Sequence, residues 1–243
     1  MMKFLLSCYV CVFISINTNM FSQNIKTVTI KDITLQKGRS LATLKLENNL
    51  EVEVNLSVPE ISKEKKLPLI IALHWAGNKE AYKIYSECLA FPSFEFMNAI
   101  IVAPSDNGKH WAESSNELKL LQMINEMKKY WPIDSSKIII TGYSNGAIGS
   151  WFLSQKYEGV FIAAIPIAGY YNSAVNNTPV YALHGTNDEL FKADEVESQL
   201  KNSINAGSNI HYQLLDNYSH YVGCSYVEAL KAMAKMMQNE LFN

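Results

Sequence analysis

The chain has 243 residues, 48% hydrophobic and 18% charged, a balance that supports a packed core and excludes a disordered polymer. Its formal net charge is −2 and Arg39 is its single arginine, which disfavours nucleic acid and polyanionic substrates. The five histidines (His74, His110, His184, His211 and His220) show no metal-ligand spacing, so neither a metal nor any other cofactor is expected.

The first element in chain order is a targeting segment. Lys3 precedes an apolar run, Phe4 to Ile16, and then the polar Asn17-Thr18-Asn19. That layout predicts a signal peptide over residues 1–22, too short to span a bilayer. Residues 23–243 then form one domain, secreted or periplasmic, with no membrane span left after cleavage. Cys8 and Cys11 leave with the signal. Cys88 and Cys224 remain, and an oxidising compartment allows them either to pair or to stay as small buried apolar side chains.

Residues 25–31 and 50–58 alternate apolar and polar side chains, the period of half-exposed strands. Asn48-Asn49 separates LATLKLE from LEVEVNL and suits a tight hairpin, so an antiparallel meander is expected at the N-terminal sheet edge. From Leu67 the pattern changes to continuous apolar runs at 67–75, 99–103, 137–141, 161–166 and 179–183, each fitting a strand buried on both faces. Helical stretches at 115–130, 147–157 and 193–205 alternate with these runs, and a last helix covers 225–241. Such alternation predicts an α/β fold with a mostly parallel central sheet and helices on both faces.

The chemistry centres on Gly142-Tyr143-Ser144-Asn145-Gly146, a G-x-S-x-G that follows a buried strand and opens a helix. A sharp strand-to-helix turn strains and exposes the serine, and glycines on either side permit close backbone approach. Ser144 is therefore the expected nucleophile. It needs a base oriented by an acid, each near the end of a later strand. Asp188 leads for the acid, with Glu189 its nearest rival and Asp194 assigned to the following helix. His220, past the next strand, is the expected base. His211 falls inside that strand, and His184 is read as a support for the acid loop. For the oxyanion hole, the backbone N–H of Asn145 is one donor. The loop His74-Trp75-Ala76-Gly77 should supply the other, from Ala76 first and Trp75 second.

These motifs resemble those of the α/β-hydrolase superfamily, in particular cap-less serine esterases of the carboxylesterase, feruloyl-esterase and polyhydroxybutyrate-depolymerase kinds. Trp131 to Ala147 resembles the run into their nucleophile turn, and H-G-T-N-D (His184 to Asp188) and Ser219-His220 resemble their acid and base motifs. The likeness covers Leu67 to the C-terminus. Trp75 stands where many relatives have glycine after the histidine, and Ala147 where many have a second glycine.

The resemblance implies an α/β-hydrolase fold and cleavage of carboxylic esters through an acyl-enzyme, on a small-molecule or polysaccharide-linked substrate. Trp75, Trp111 and Tyr143 are the expected substrate-binding aromatics, for a short or aromatic acyl group on carbohydrate. Tyr170, Tyr171, Tyr218 and Tyr221 fall near the same face, and at least half of these rings should simply pack the loops. A serine peptidase, lipase or thioesterase on the same fold is the alternative, and a non-catalytic binding module another.

Overall fold

The computed structural model describes residues 27–62, 64–171 and 175–242; the expected signal peptide lies outside them. Within them one sheet runs through the molecule: β1 (Thr27–Thr29), β2 (Gly38–Lys45), β3 (Glu51–Val58), β4 (Leu67–Leu73), β5 (Ile100–Pro104), β6 (Ile133–Tyr143), β7 (Ala163–Ile167), β8 (Val180–Asn187) and β9 (Ile210–Ser219). Their spatial order is β1-β2-β3-β5-β4-β6-β7-β8-β9. Pairing is parallel everywhere except β2 with β3 and β3 with β5.

The continuous apolar runs form strands because both faces of the sheet are covered. Successive side chains of a strand point to opposite faces. Leu69, Ile71 and Leu73 of β4 accordingly join one core and Ile70 and Ala72 the other. The first core is closed by α3 (Ser114–Tyr130), α4 (Asn145–Lys156) and α5 (Ala193–Asn205), through Met123, Met127, Trp151 and Leu200 among others. The second is closed by α6 (Val227–Leu241) and by a helical segment that contains α1 (Ala81–Tyr85), a π-type turn (Ser86–Ala90) and α2 (Phe91–Phe94). In α6 the buried Leu230, Met233, Ala234 and Met237 follow helical spacing, so one stripe meets the sheet. Each fully buried Leu, Ile or Met side chain contributes about 1.5–3 kcal/mol.

The N-terminal edge differs from the expected meander in one strand. β2 and β3 form the antiparallel hairpin, turning where Asn49 adopts a φ of 66°. β1, however, pairs with β2 in parallel, with Thr29 opposite Lys45. Alternation sets which side chains face the core; the length of the connection sets strand direction. Gly38 lies seven residues up the strand from Lys45, about 23 Å at strand rise. Residues 30–37 reach about 28 Å when extended, enough to bring the chain back for a parallel pairing.

β6, β8 and β9 also run beyond their apolar stretches. β6 begins at Ile133 and includes the exposed Ser135 and Ser136. Apolar runs mark only the part of a strand covered on both faces.

Cys88, in the π-type turn, forms a disulfide with Cys224, just before α6, with Cα atoms 5.3 Å apart and a sequence separation of 136. The bond ties the helical segment after the 74–77 loop to the segment after His220. Closing so long a loop restricts the unfolded chain, typically worth about 2–4 kcal/mol. Unfolding the protein without reductant should expose no reactive thiol at either position. The Cys88→Ser, Cys224→Ser double variant should lose stability of that order in urea unfolding. Two reactive thiols in the unreduced protein would contradict the bond.

Candidate active site

The turn between β6 and α4 shapes the site. Ser144 has φ 55° and ψ −114°, a backbone conformation that non-glycine residues rarely adopt. Its N–H donates to the Ile167 carbonyl at 2.9 Å, locking the strained residue to β7. A Cβ at Gly146 would overlap the Leu73 carbonyl, and one at Gly142 would overlap Gly146. Only glycines let α4 start directly against the end of β4.

Three side chains then meet in a line. The Ser144 hydroxyl donates to His220 Nε2 at 2.9 Å, and His220 Nδ1–H donates to Asp188 Oδ2 at 2.8 Å. Asp188 follows the end of β8 and His220 the end of β9, so parallel strands bring both to the carboxyl edge beside Ser144. The other Asp188 oxygen accepts the N–H groups of Leu190 at 2.9 Å and Phe191 at 2.7 Å. Burial alone would raise the Asp188 pKa. The His220 hydrogen bond and these backbone donors outweigh it and hold the carboxyl below its ordinary value.

Glu189 makes no hydrogen bond to the His220 ring. Its carboxylate accepts the Ser219 hydroxyl at 2.7 Å and the backbone N–H of His220 at 2.9 Å. His184 donates from Nε2 to the Phe191 carbonyl at 2.8 Å, bracing the acid loop. His211 stacks on Tyr181 within β9, on the outer part of the sheet.

The 74–77 loop is held from below. His74 Nδ1–H donates to the Trp75 carbonyl at 2.6 Å, and its Nε2 accepts the Asp106 N–H at 3.2 Å. Both partners suit neutral imidazole. All peptides among the described residues are trans, so with the Trp75 carbonyl turned toward His74 the Ala76 N–H points the opposite way. Asn145 opens α4, where an N–H has no acceptor in the preceding turn of helix. Its side-chain oxygen meets His110 Nδ1 at 3.0 Å, a contact with no counterpart in the sequence reading.

An open cleft of about 540 Å³ surrounds Ser144 and His220. Its walls are Trp75, Ala76, Tyr143, Leu190 and the run Tyr221 to Ser225. Of the three aromatics expected to bind substrate, Trp75 and Tyr143 line it, but Trp111 does not. Trp111 is fully buried, packs over Gly149 and donates from its indole N–H to the His74 carbonyl at 2.9 Å. It supports the 74–77 loop instead of touching substrate. Tyr170 and Tyr171 likewise pack on Trp151 and Phe152, and Tyr218 on Tyr226. Leu190 and Val222 are cleft residues the sequence did not single out; their place beside Asp188 and His220 was the only available sign.

The dienelactone hydrolase family model matches residues 106–237, more than half of the chain. The chain belongs to the dienelactone hydrolase family. A bifunctional acetylxylan esterase/xylanase of Neocallimastix patriciarum is similar at 29% identity over 85 residues, 33% of this chain and 13% of that protein. Poly(3-hydroxyalkanoate) depolymerase C of Paucimonas lemoignei is 28% identical over 122 residues, 42% of this chain and 28% of that one. The chain thus spans under a third of the length of either curated relative. An α/β serine hydrolase without a lid from Xanthomonas campestris shares the fold, with TM-score 0.65 and 14% identity over 86% of this chain and 98% of that one. By family and fold the protein is built on the α/β-hydrolase fold. No helix among the described residues is long and apolar enough to cross a membrane.

His74 and His184 are both held below the ordinary histidine pKa, chiefly by burial. The unfolded chain therefore binds more protons than the folded one as pH falls below about 6.5. The stability these histidines confer is present above that pH and is lost as pH falls through their lowered folded values. The lowered Asp188 adds a further loss in a more acid window, below about pH 4. The urea midpoint should hold from pH 8 to 7 and decline from about 6.5 toward 5. An unchanged midpoint at pH 5 would contradict neutral burial of these rings.

Proposed function

We propose that this protein is a secreted serine esterase that cleaves short or aromatic acyl groups from carbohydrate-linked esters. The observation that carries the reading is the Asp188–His220–Ser144 hydrogen-bond chain opening on the cleft. Ser144 Oγ attacks the ester carbonyl while His220 Nε2 takes its proton. The carbonyl oxygen becomes an oxyanion, received by the N–H groups of Asn145 and Ala76. His220 then gives its proton to the departing alkoxide, leaving an acyl group on Ser144. Water, deprotonated by the same imidazole, attacks this acyl-enzyme and releases the acid. Asp188 keeps the His220 tautomer correct and stabilises the imidazolium as it forms.

The cleft supports a neutral acyl group, because His220 is its one titratable lining group besides Tyr143 and Tyr221. Leu190, Tyr221 and Val222 stand exposed at its mouth and offer apolar contact to an aryl or methyl group. Only residues 168–179 connect β7 and β8, where a lid sheltering a long chain could be inserted. Secretion is supported by the signal-like layout of residues 1–22 and by the Cys88–Cys224 disulfide. The carbohydrate side of the ester rests on similarity to an acetylxylan esterase/xylanase and on the aromatic cleft rim.

Purified protein should hydrolyse acetyl and aromatic acyl esters with kcat/KM at least about tenfold above octanoyl and palmitoyl esters, whose added methylenes contribute only where a groove receives them. Ser144→Ala should fold and lose at least about 10⁴-fold in kcat. A rise in kcat/KM toward octanoyl would overturn the acyl assignment. A tenth of the activity left in Ser144→Ala would overturn the nucleophile.

A further inference from the structure

We propose that Tyr143 and Glu189 are positioning residues that clamp the backbone of His220 from both sides. This rests on the reading of His220 as the general base. The Tyr143 hydroxyl donates to the His220 carbonyl at 2.7 Å, and the Glu189 carboxylate accepts the His220 N–H at 2.9 Å. Glu189 also takes the Ser219 hydroxyl, holding the preceding residue.

The need for a clamp follows from where His220 stands. It is the first residue after β9, and the chain beyond it is poorly covered, with Tyr221 72% and Val222 39% exposed. A planar peptide leaves two free backbone torsions per residue. The N–H of His220 belongs to the peptide plane before its Cα, and its carbonyl to the plane after. Holding one with Glu189 and the other with Tyr143 fixes both planes. The Asp188 hydrogen bond then has only the two side-chain torsions to restrain.

Tyr143 suits this role because it is nearly inaccessible and lies among Trp75, Tyr226 and the His220 ring. Burial holds its phenol far above the ordinary tyrosine pKa, so it remains a donor. Glu189 stays ionised as an acceptor, since the Ser219 and His220 hydrogen bonds lower its pKa. Tyr143 directly precedes Ser144, and Glu189 directly follows Asp188. The nucleophile and the acid each bring a chain neighbour to hold the base. In this account the Tyr143 hydroxyl acts on His220, although its ring forms part of the cleft wall.

The test is steady-state kinetics on a short-chain ester with Tyr143→Phe, Glu189→Ala and the pair, each also made with His220→Ala. Small misplacements of a reacting group cost up to about 10²-fold, so each single variant should lose about tenfold or more in kcat with KM within about twofold. With His220→Ala present, neither should lower the residual rate further, because there is no imidazole left to position. Glu189 is exposed, so Glu189→Ala keeps the test decisive should Tyr143→Phe fail to fold. Wild-type kcat in either folded variant overturns the clamp, as does an equal fold loss without His220 or a change confined to KM. Wild-type kcat in His220→Ala itself would overturn the underlying assignment of the base.

Discussion

The close approach of α4 to the ends of β4 and β6 is the constraint on which the site rests. Any side chain at Gly146 would strike the Leu73 carbonyl, and the chain between the glycines must turn within the few residues that include Ser144. Backbone conformations of this kind cost about 1–3 kcal/mol and persist only where surrounding structure over-determines them. Here α4 is held by Trp151 in one core, and the Ser144 N–H is bound to β7. Besides asparagines, Ser144 and Ala168 are the non-glycine residues with positive φ among those described. Ala168 follows β7, and its neighbour Gly169 lets that strand end pass close to the Ser144 carbonyl. Strain is concentrated where the strand ends meet the proposed nucleophile.

From that contact the rest of the geometry follows. Because Leu73 lies against Gly146, the 74–77 loop must leave β4 beside the start of α4, which sets Ala76 and Ser144 at the same cleft. Below the loop, the buried His74 ring binds the Trp75 carbonyl and the Asp106 N–H, and the Trp111 indole binds the His74 carbonyl, which fixes which way the loop peptides face. On the other side, parallel β8 and β9 deliver Asp188 and His220 to one edge. Much of the proposed chemistry is thus prepared by backbone orientation, which costs no reorganisation when charge develops during reaction.

Much of this was legible in the residues. The apolar run before Gly142 and the helical pattern after it placed Ser144 at a strand-to-helix turn. Chain order after each later strand pointed to Asp188 and His220, which the structure sets in hydrogen-bond contact with one another and with Ser144. What was not legible depended on path and direction. β1 is parallel because its connection is long enough to return, which period-two alternation does not encode. Trp111 had the right residue type in the right loop, yet its ring turns inward, where Gly149 leaves room and the His74 carbonyl accepts its N–H. Glu189 read as a rival to Asp188 because adjacent carboxylates look alike in sequence. The end of β8 points one toward the imidazole and the other toward its backbone.

The central claim is that Ser144 is a nucleophile made reactive by His220. The most direct measurement is intact and peptide mass spectrometry after incubation with a fluorophosphonate, which traps an activated serine covalently. The account predicts one adduct per chain, on the peptide containing Ser144, formed rapidly in the native protein and at least about 10²-fold more slowly in a folded His220→Ala variant. No adduct, an adduct on another residue, or undiminished labelling without His220 would contradict it.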